Sequence, residues 1–302
     1  MPFIFRTIAA IGTVMLLGET VSARSGTFRL PTPSDLVQQH PDRSLPQQQR
    51  GEPPFSLPTQ RLSQVGNSPN LSLLAKVIVG FLKGDDYQTQ SKMHVNAVIG
   101  TSTVTADAQI QTTSQFPNKF RTEISFAKPG EPTQVKTLIV SDGTRVWVYR
   151  VDLKQYAVFT YEKFDQLEDS YWIGFATTMF AQTPPEAKAA VAKSTLSDPD
   201  LLQTMGLELN ALKGGPRTVE SENFYAYEYK DTQQGFLLSA FVEPESAILK
   251  RLQITGKYED SDITMVERLL SRTAIAPVNI KTFTFTPPKG TKKVKTLALG
   301  PL

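Results

Sequence analysis

From residue 93 to residue 285 the chain alternates apolar and polar residues in one short run after another, and this two-residue period constrains its fold most. Successive side chains of an extended strand point to opposite sides, so alternation of this kind makes half-buried antiparallel strands. Met93, Val95, Ala97 and Ile99 form one apolar row, with His94 and Asn96 opposite. Val104, Ala106, Ala108 and Ile110 form a second row, and Phe120, Thr122, Ile124 and Phe126 a third. Leu138-Ile139-Val140 leads into Asp142-Gly143, a strong hairpin signal. Runs at 146–149, 156–159, 224–229, 236–242, 248–255, 263–269 and 282–285 continue the meander.

The alternation breaks once, over 163–213. Tyr171-Trp172-Ile173-Gly174-Phe175 and Met179-Phe180 make that stretch strongly apolar. Pro184-Pro185-Glu186 opens a short Ala-rich helix through Lys193, and Asp198-Pro199 starts another that Gly206 ends. Upstream, Leu71, Leu74, Ala75, Ile78, Val79 and Leu82 recur at helical spacing between an Asn70 cap and a Gly84 stop. The fold class is mainly β, of the α+β kind, with an N-terminal helix and a helical insertion. Strands with one apolar face need a cover, and the insertion is apolar enough to provide it.

The ends of the alternating region differ in kind. Arg6, a short apolar run over 7–18 and the small residues Val21-Ser22-Ala23 make a secretory signal with cleavage after Ala23. That run is shorter than the roughly 20 residues a bilayer-spanning helix needs. The expected address is the periplasm. Residues 24–70 are rich in proline and glutamine, with few periodic apolar positions, and are expected to form a disordered tether. The folded body is then 71–302.

Charge and composition exclude several classes of function. Lys+Arg 32 against Asp+Glu 29 gives a net charge of +3, too little for a nucleic-acid binder. With Cys 0 there is no disulfide framework, thiol nucleophile or lipidated N-terminal cysteine. His94 stands without a Gly-x-Ser-x-Gly elbow, so a Ser-His-Asp site is not expected. Asp165, Glu168 and Asp169, and Glu259, Asp260 and Asp262, lack calcium-loop spacing. Neither an enzyme nor a cofactor or metal protein is expected. Lys289, Lys292, Lys293 and Lys295 form a basic stretch, expected to be a soluble tail, the alternative being contact with anionic headgroups or an acidic partner.

Four motifs, taken in order, resemble a known family. They are Pro117-Asn118-Lys119-Phe120-Arg121, then Asp142-Gly143 with Trp147 and Tyr149, then the helical insertion, then Phe283-Thr284-Phe285-Thr286-Pro287-Pro288-Lys289-Gly290. Their order is similar to that of the periplasmic lipoprotein carriers LolA and LolB and their outer-membrane lipoprotein-sorting relatives. The resemblance implies an open, strongly curved antiparallel β-barrel with helices over its apolar concave face. It implies a monomer that binds the acyl chains of lipoproteins or other lipids and meets membrane-bound donor and acceptor proteins. The missing cysteine argues against a lipid-anchored receptor of the LolB type. The other reading, from another class, is an envelope sensory or interaction module of the same fold that binds a membrane-bound partner.

The candidate lining comprises Trp172, Phe175, Met179 and Phe180 on the insertion, with Ile124, Phe126, Val146 and Val148 on the sheet. Trp172, Phe175 and Met179 are spaced three and four apart, which suits one helical face. In some relatives an arginine after the proline-x-x-phenylalanine motif latches the lid, which would give that role to Arg121 here. The alternation instead puts Arg121 opposite Phe120, Thr122 and Ile124, on the side facing water.

Overall fold

The computed structural model describes residues 68–99, 102–127, 135–193, 211–231, 235–258 and 261–300. The expected export segment and most of the tether, the helical stretch at 198–206 and the Glu259-Asp260 pair lie outside those residues.

The alternating runs form one large sheet. Its first meander is β1 (Asp86–Ile99), β2 (Ser102–Gln115), β3 (Lys119–Phe126), β4 (Val135–Asp142), β5 (Arg145–Arg150) and β6 (Gln155–Thr160). Its second is β7 (Leu212–Val219), β8 (Glu222–Asp231), β9 (Phe236–Glu243), β10 (Ile248–Tyr258) and β11 (Ser261–Ala274). A two-residue strand, β12 (Lys292–Lys293), adds to β6 in parallel. The strand order β12-β6-β5-β4-β3-β2-β1-β11-β10-β9-β8-β7 joins the meanders through the antiparallel β1–β11 pair. The two ends of that order do not pair, so the sheet is open.

Met93, Val95 and Ala97, the Val104–Ile110 row and the Phe120–Phe126 row face the same side. Phe120, Thr122, Ile124 and Phe126 are buried, while Arg121 and Glu123 between them are not. One irregularity matters. Between Gln90 and Ser91 the β1–β11 register shifts, leaving Leu270 as an extra residue. Such a bulge reverses which residues point inward. Glu267 and Leu269 pair with Met93 and Ser91 before it; Arg272 pairs with Thr89 after it. Glu267 and Arg272 therefore share the inner face, and Leu270 is 52% exposed.

The helices among the described residues lie on the inner face. They are α1 (Leu71–Leu82), α2 (Tyr161–Asp165), α3 (Phe175–Ala181) and α4 (Pro185–Lys193), with a 3-10 turn at Ser170–Ile173 before α3. Asn70 caps α1 by accepting from the Leu73 N–H at 3.0 Å. Its backbone is held by two sheet tyrosines: Tyr225 accepts from Asn70 N at 2.8 Å, and Tyr227 donates to Asn70 O at 2.6 Å. α1 buries Leu73, Val77 and Phe81 as well as the expected Ala75, Val79 and Leu82. A helix apolar on more than one side is packed on more than one side, here against β10 and α4.

The alternation at 282–285 does not become a strand. A 3-10 turn spans Ile280–Phe283, and an extended strap follows. Pro287 and Pro288 remove two consecutive backbone donors, so this segment is a poor ladder partner. Phe283 is buried, and Phe285 rests on Tyr149 and Tyr156, which point outward from β5 and β6. The strap then pairs with the β6 edge as β12 and ends with Leu299 fully buried in the main core on the inner side. It wraps the edge strand from outside to inside.

Candidate functional site

The main core sits between the inner face of the sheet and the helices. Trp172, Phe175 and Phe180 have no exposed surface, and Ile124, Phe126, Val146 and Val148 have 1% or less. All seven belong to one contiguous apolar cluster. The Phe126 and Trp172 rings meet edge to face at 4.7 Å between centroids. Met179 packs against the same cluster but is only half-buried. The single helical face expected for Trp172, Phe175 and Met179 does not form. Trp172 lies in the 3-10 turn, and Gly174 separates it from α3.

Gly174 explains the break. Its φ is +92°, and a Cβ there would stand 2.5 Å from Oε1 of Glu267. Only glycine allows this backbone and this approach. Glu267, in an otherwise apolar inward row of β11, accepts from the Ala176 N–H at 2.9 Å and from the Ser91 hydroxyl at 2.7 Å. It is fully enclosed, and burial pushes its carboxyl above the ordinary 4.5 against the opposing pull of these hydrogen bonds. The sheet thus grips the start of α3 through one buried carboxylate.

Two cations fasten the same region. Arg272 lies 3.8 Å from the Tyr87 ring centroid, 4.1 Å from Phe81 and 4.9 Å from Phe180. It donates to Phe81 O at 2.9 Å, satisfying a carbonyl at the end of α1, and to Thr89 Oγ1 at 3.2 Å. Burial lowers its guanidinium to about 10, leaving it cationic at neutral pH. Lys188 of α4 donates to Leu82 O and Gly84 O, each at 2.6 Å, and lies near the Phe116 and Phe180 rings. A lysine from the insertion therefore caps the C-terminal end of α1.

The far end of the cover is held by the strap. Asp169, half-buried and with its carboxyl pushed up by that burial, accepts from the Leu299 N–H at 2.6 Å. Thr137 of β4 donates to Leu299 O at 2.9 Å. Arg150 of β5 donates to Ala298 O and Gly300 O at 3.3 and 3.1 Å. A Cβ on Gly300 would come within 2.6 Å of the Trp172 indole nitrogen, so the strap runs directly against that ring.

The other sequence candidates lie apart from this region. Arg121 is on the outer face, 3.6 Å from Glu123, with its side chain 32% exposed. The buried contacts between sheet, strap and helices run through Glu267, Arg272, Lys188 and Asp169. Sequence reasoning missed them, although a glutamate in an apolar row was a visible signal. His94 bonds its cross-strand neighbour Asp107 at 2.8 Å. Asp165 accepts from Gln182 within the cover. Among the described residues no group of three or more acidic or histidine side chains is placed to hold a metal.

The outer face carries a smaller cluster of Val219, Phe224, Ala226 and Phe241. Beside it is a cleft of about 450 Å³ whose walls include Glu220, Arg251 and Arg268. Glu220 bridges the two arginines at 3.0 Å each. These charges are paired with one another.

The cover between the two meanders lies on the inner face of an open, antiparallel sheet, as the order of motifs implied. No family model and no curated protein matches the sequence. Solved structures match with low scores. A LolA superfamily protein from Nitrosomonas europaea is 12% identical, over 72% of this chain and 98% of that one, with a TM-score of 0.30. LprF from Mycobacterium bovis is 12% identical, over 75% and 100%, with a TM-score of 0.35. The MucA/MucB complex of Pseudomonas aeruginosa is 10% identical, over 72% and 61%, with a TM-score of 0.30. The strap and the cover share one end of the inner face, where Leu299 and Trp172 enter the same core.

Proposed function

We propose that the protein is a non-enzymatic periplasmic carrier, exported by a signal cleaved after Ala23, that shelters acyl chains of lipoproteins or other lipids. The site is the apolar inner face beneath the 161–193 cover. Trp172, Phe175, Met179 and Phe180 contact the chain from above, and Ile124, Phe126, Val146 and Val148 from below. One observation carries this reading: the cover is three short helices and a 3-10 turn lying on an aromatic core, tied to the sheet and strap at a few separate polar points. A cover of that construction lifts when its ties yield.

The energetics suit a carrier. Burying hydrocarbon is worth roughly 0.8 kcal/mol per methylene, so a chain of about sixteen carbons offers on the order of 12 kcal/mol. That exceeds the loss of a few hydrogen bonds at about 1–3 kcal/mol each. An acyl chain thus supplies the work of opening, and a competing acceptor releases it. The test is native mass spectrometry of the purified mature chain, followed by uptake of a fluorescent fatty acid. Co-purified lipid and saturable uptake are expected. A chain that is empty on purification and takes up no fatty acid overturns the reading and leaves the interaction module.

A further inference from the structure

The tip of the β5–β6 hairpin carries an apolar pair that the carrier role does not use. Val151 and Leu153 are 44% and 48% exposed. Asp152 between them is held by Arg150, whose Nε and Nη2 donate to its two carboxylate oxygens at 3.0 and 2.9 Å. The turn closes through the Lys154 N–H to Val151 O at 3.4 Å. The strap arrives beside it. Lys292 N donates to Lys154 O at 3.0 Å, and Lys292 and Lys293 pair in register with Gln155 and Tyr156. Lys154, Lys292, Lys293 and Lys295 are all exposed. The basic stretch expected to be a free tail is therefore seated against an apolar tip far from it in sequence.

We propose that this tip docks the protein on an anionic phospholipid bilayer. Val151 and Leu153 enter the acyl boundary while the four lysines meet headgroup phosphates. The chemistry favours a bilayer over an acidic protein. Two aliphatic side chains on a projecting turn find their complement in a deformable apolar layer, whereas a folded partner needs a matching pocket. The tip's own acid is already neutralised by Arg150, which also holds the strap at Ala298 and Gly300. Tip and basic strap thus present as one unit. Two aliphatic groups bind a membrane weakly alone, and a polybasic patch supplies the second signal that anchoring requires.

The test is co-sedimentation of the mature chain with vesicles of phosphatidylcholine, with or without phosphatidylglycerol. Binding is expected only with phosphatidylglycerol, weakening as salt rises from about 0.05 to about 0.5 M. Val151→Asp with Leu153→Asp lowers the partition coefficient by about tenfold, and Lys292→Glu with Lys293→Glu does so by at least about as much. All four positions are exposed, and an unchanged melting temperature verifies the fold. Soluble polyglutamate is the competing probe. Three results overturn the proposal: no preference for anionic vesicles, vesicle binding unaffected by either double variant, or polyglutamate binding as strong as vesicle binding and indifferent to Val151→Asp with Leu153→Asp.

Discussion

On the inner face of the sheet buried charges are bonded to the backbone of the helices; on the outer face the charges beside the small apolar cluster are paired with one another. Glu267, Arg272 and Lys188 each reach a backbone N–H or C=O of a helix. Glu220, Arg251 and Arg268 reach each other across the outer cleft. Both faces set charge against apolar surface, but only the inner charges tie one element to another that has no sheet hydrogen bonds to hold it. Enclosure gives such ties their strength, and solvent and salt weaken the outer network. On the carrier reading proposed above, the inner ties are the ones that must yield for a lipid to enter.

Removing packing should separate the faces most. Phe180, fully buried against Tyr87 and Arg272, is expected to cost about 3–5 kcal/mol on change to Ala. Phe224→Ala, in the small outer cluster, should cost about half of that. Urea denaturation measures both, and equal losses would erase the distinction.

Next is Lys188→Met, which keeps the contact with Phe116 and Phe180 but orphans Leu82 O and Gly84 O. A loss of about 2 kcal/mol is expected, with faster hydrogen exchange in α1 and α4. The ion pair with Asp85, 70% exposed, adds little, so Asp85→Asn should be nearly neutral.

A smaller effect, with a sign that depends on pH, is expected at Glu267. Its carboxyl is raised in the folded state, so that state holds its proton at pH values where the unfolded chain has released it. The penalty for burying the ionised form is full at high pH. It fades as pH falls through the folded value toward the ordinary 4.5. The wild type should therefore gain stability relative to Glu267→Gln on going from neutral to mildly acidic buffer. A difference that is flat with pH would mean that Glu267 is not the buried, raised carboxyl described.

The smallest effect belongs to Glu220→Gln on the outer face. It should cost less than about 1 kcal/mol, shrink further in high salt, and leave fatty-acid uptake unchanged. Lost uptake would show that the outer network is coupled to the cover.

Much of the fold was legible because a half-buried strand writes its burial into the sequence. The rows at Val104–Ile110 and Phe120–Phe126 faced inward as expected, and the insertion fell between the two meanders. The aromatic residues proposed for the site were likewise drawn into one core, since they had no polar alternative. Features set by distant contacts were not legible. Trp172 and Phe175 have helical spacing, yet the close approach of Glu267 to Gly174 splits them between two pieces. Thr282-Phe283-Thr284-Phe285 has strand spacing, yet its 3-10 turn packs on β3 and β4 and Phe285 covers the outward Tyr149 and Tyr156 rather than extend the ladder. Arg272 points inward only because Leu270 is an extra residue, and a one-residue bulge leaves no mark on composition or period.

The carrier reading is tested most directly at Trp172. The chain has two tryptophans, and Trp147 points outward from β5, so Trp147→Phe leaves Trp172 as the only indole emitter. Titration with a fatty acid brominated at mid-chain should quench that emission saturably, because bromine quenches only an indole it approaches closely. Emission that stays constant throughout the titration, in a protein whose fold is unchanged, would contradict the claim that acyl chains lie beneath the cover.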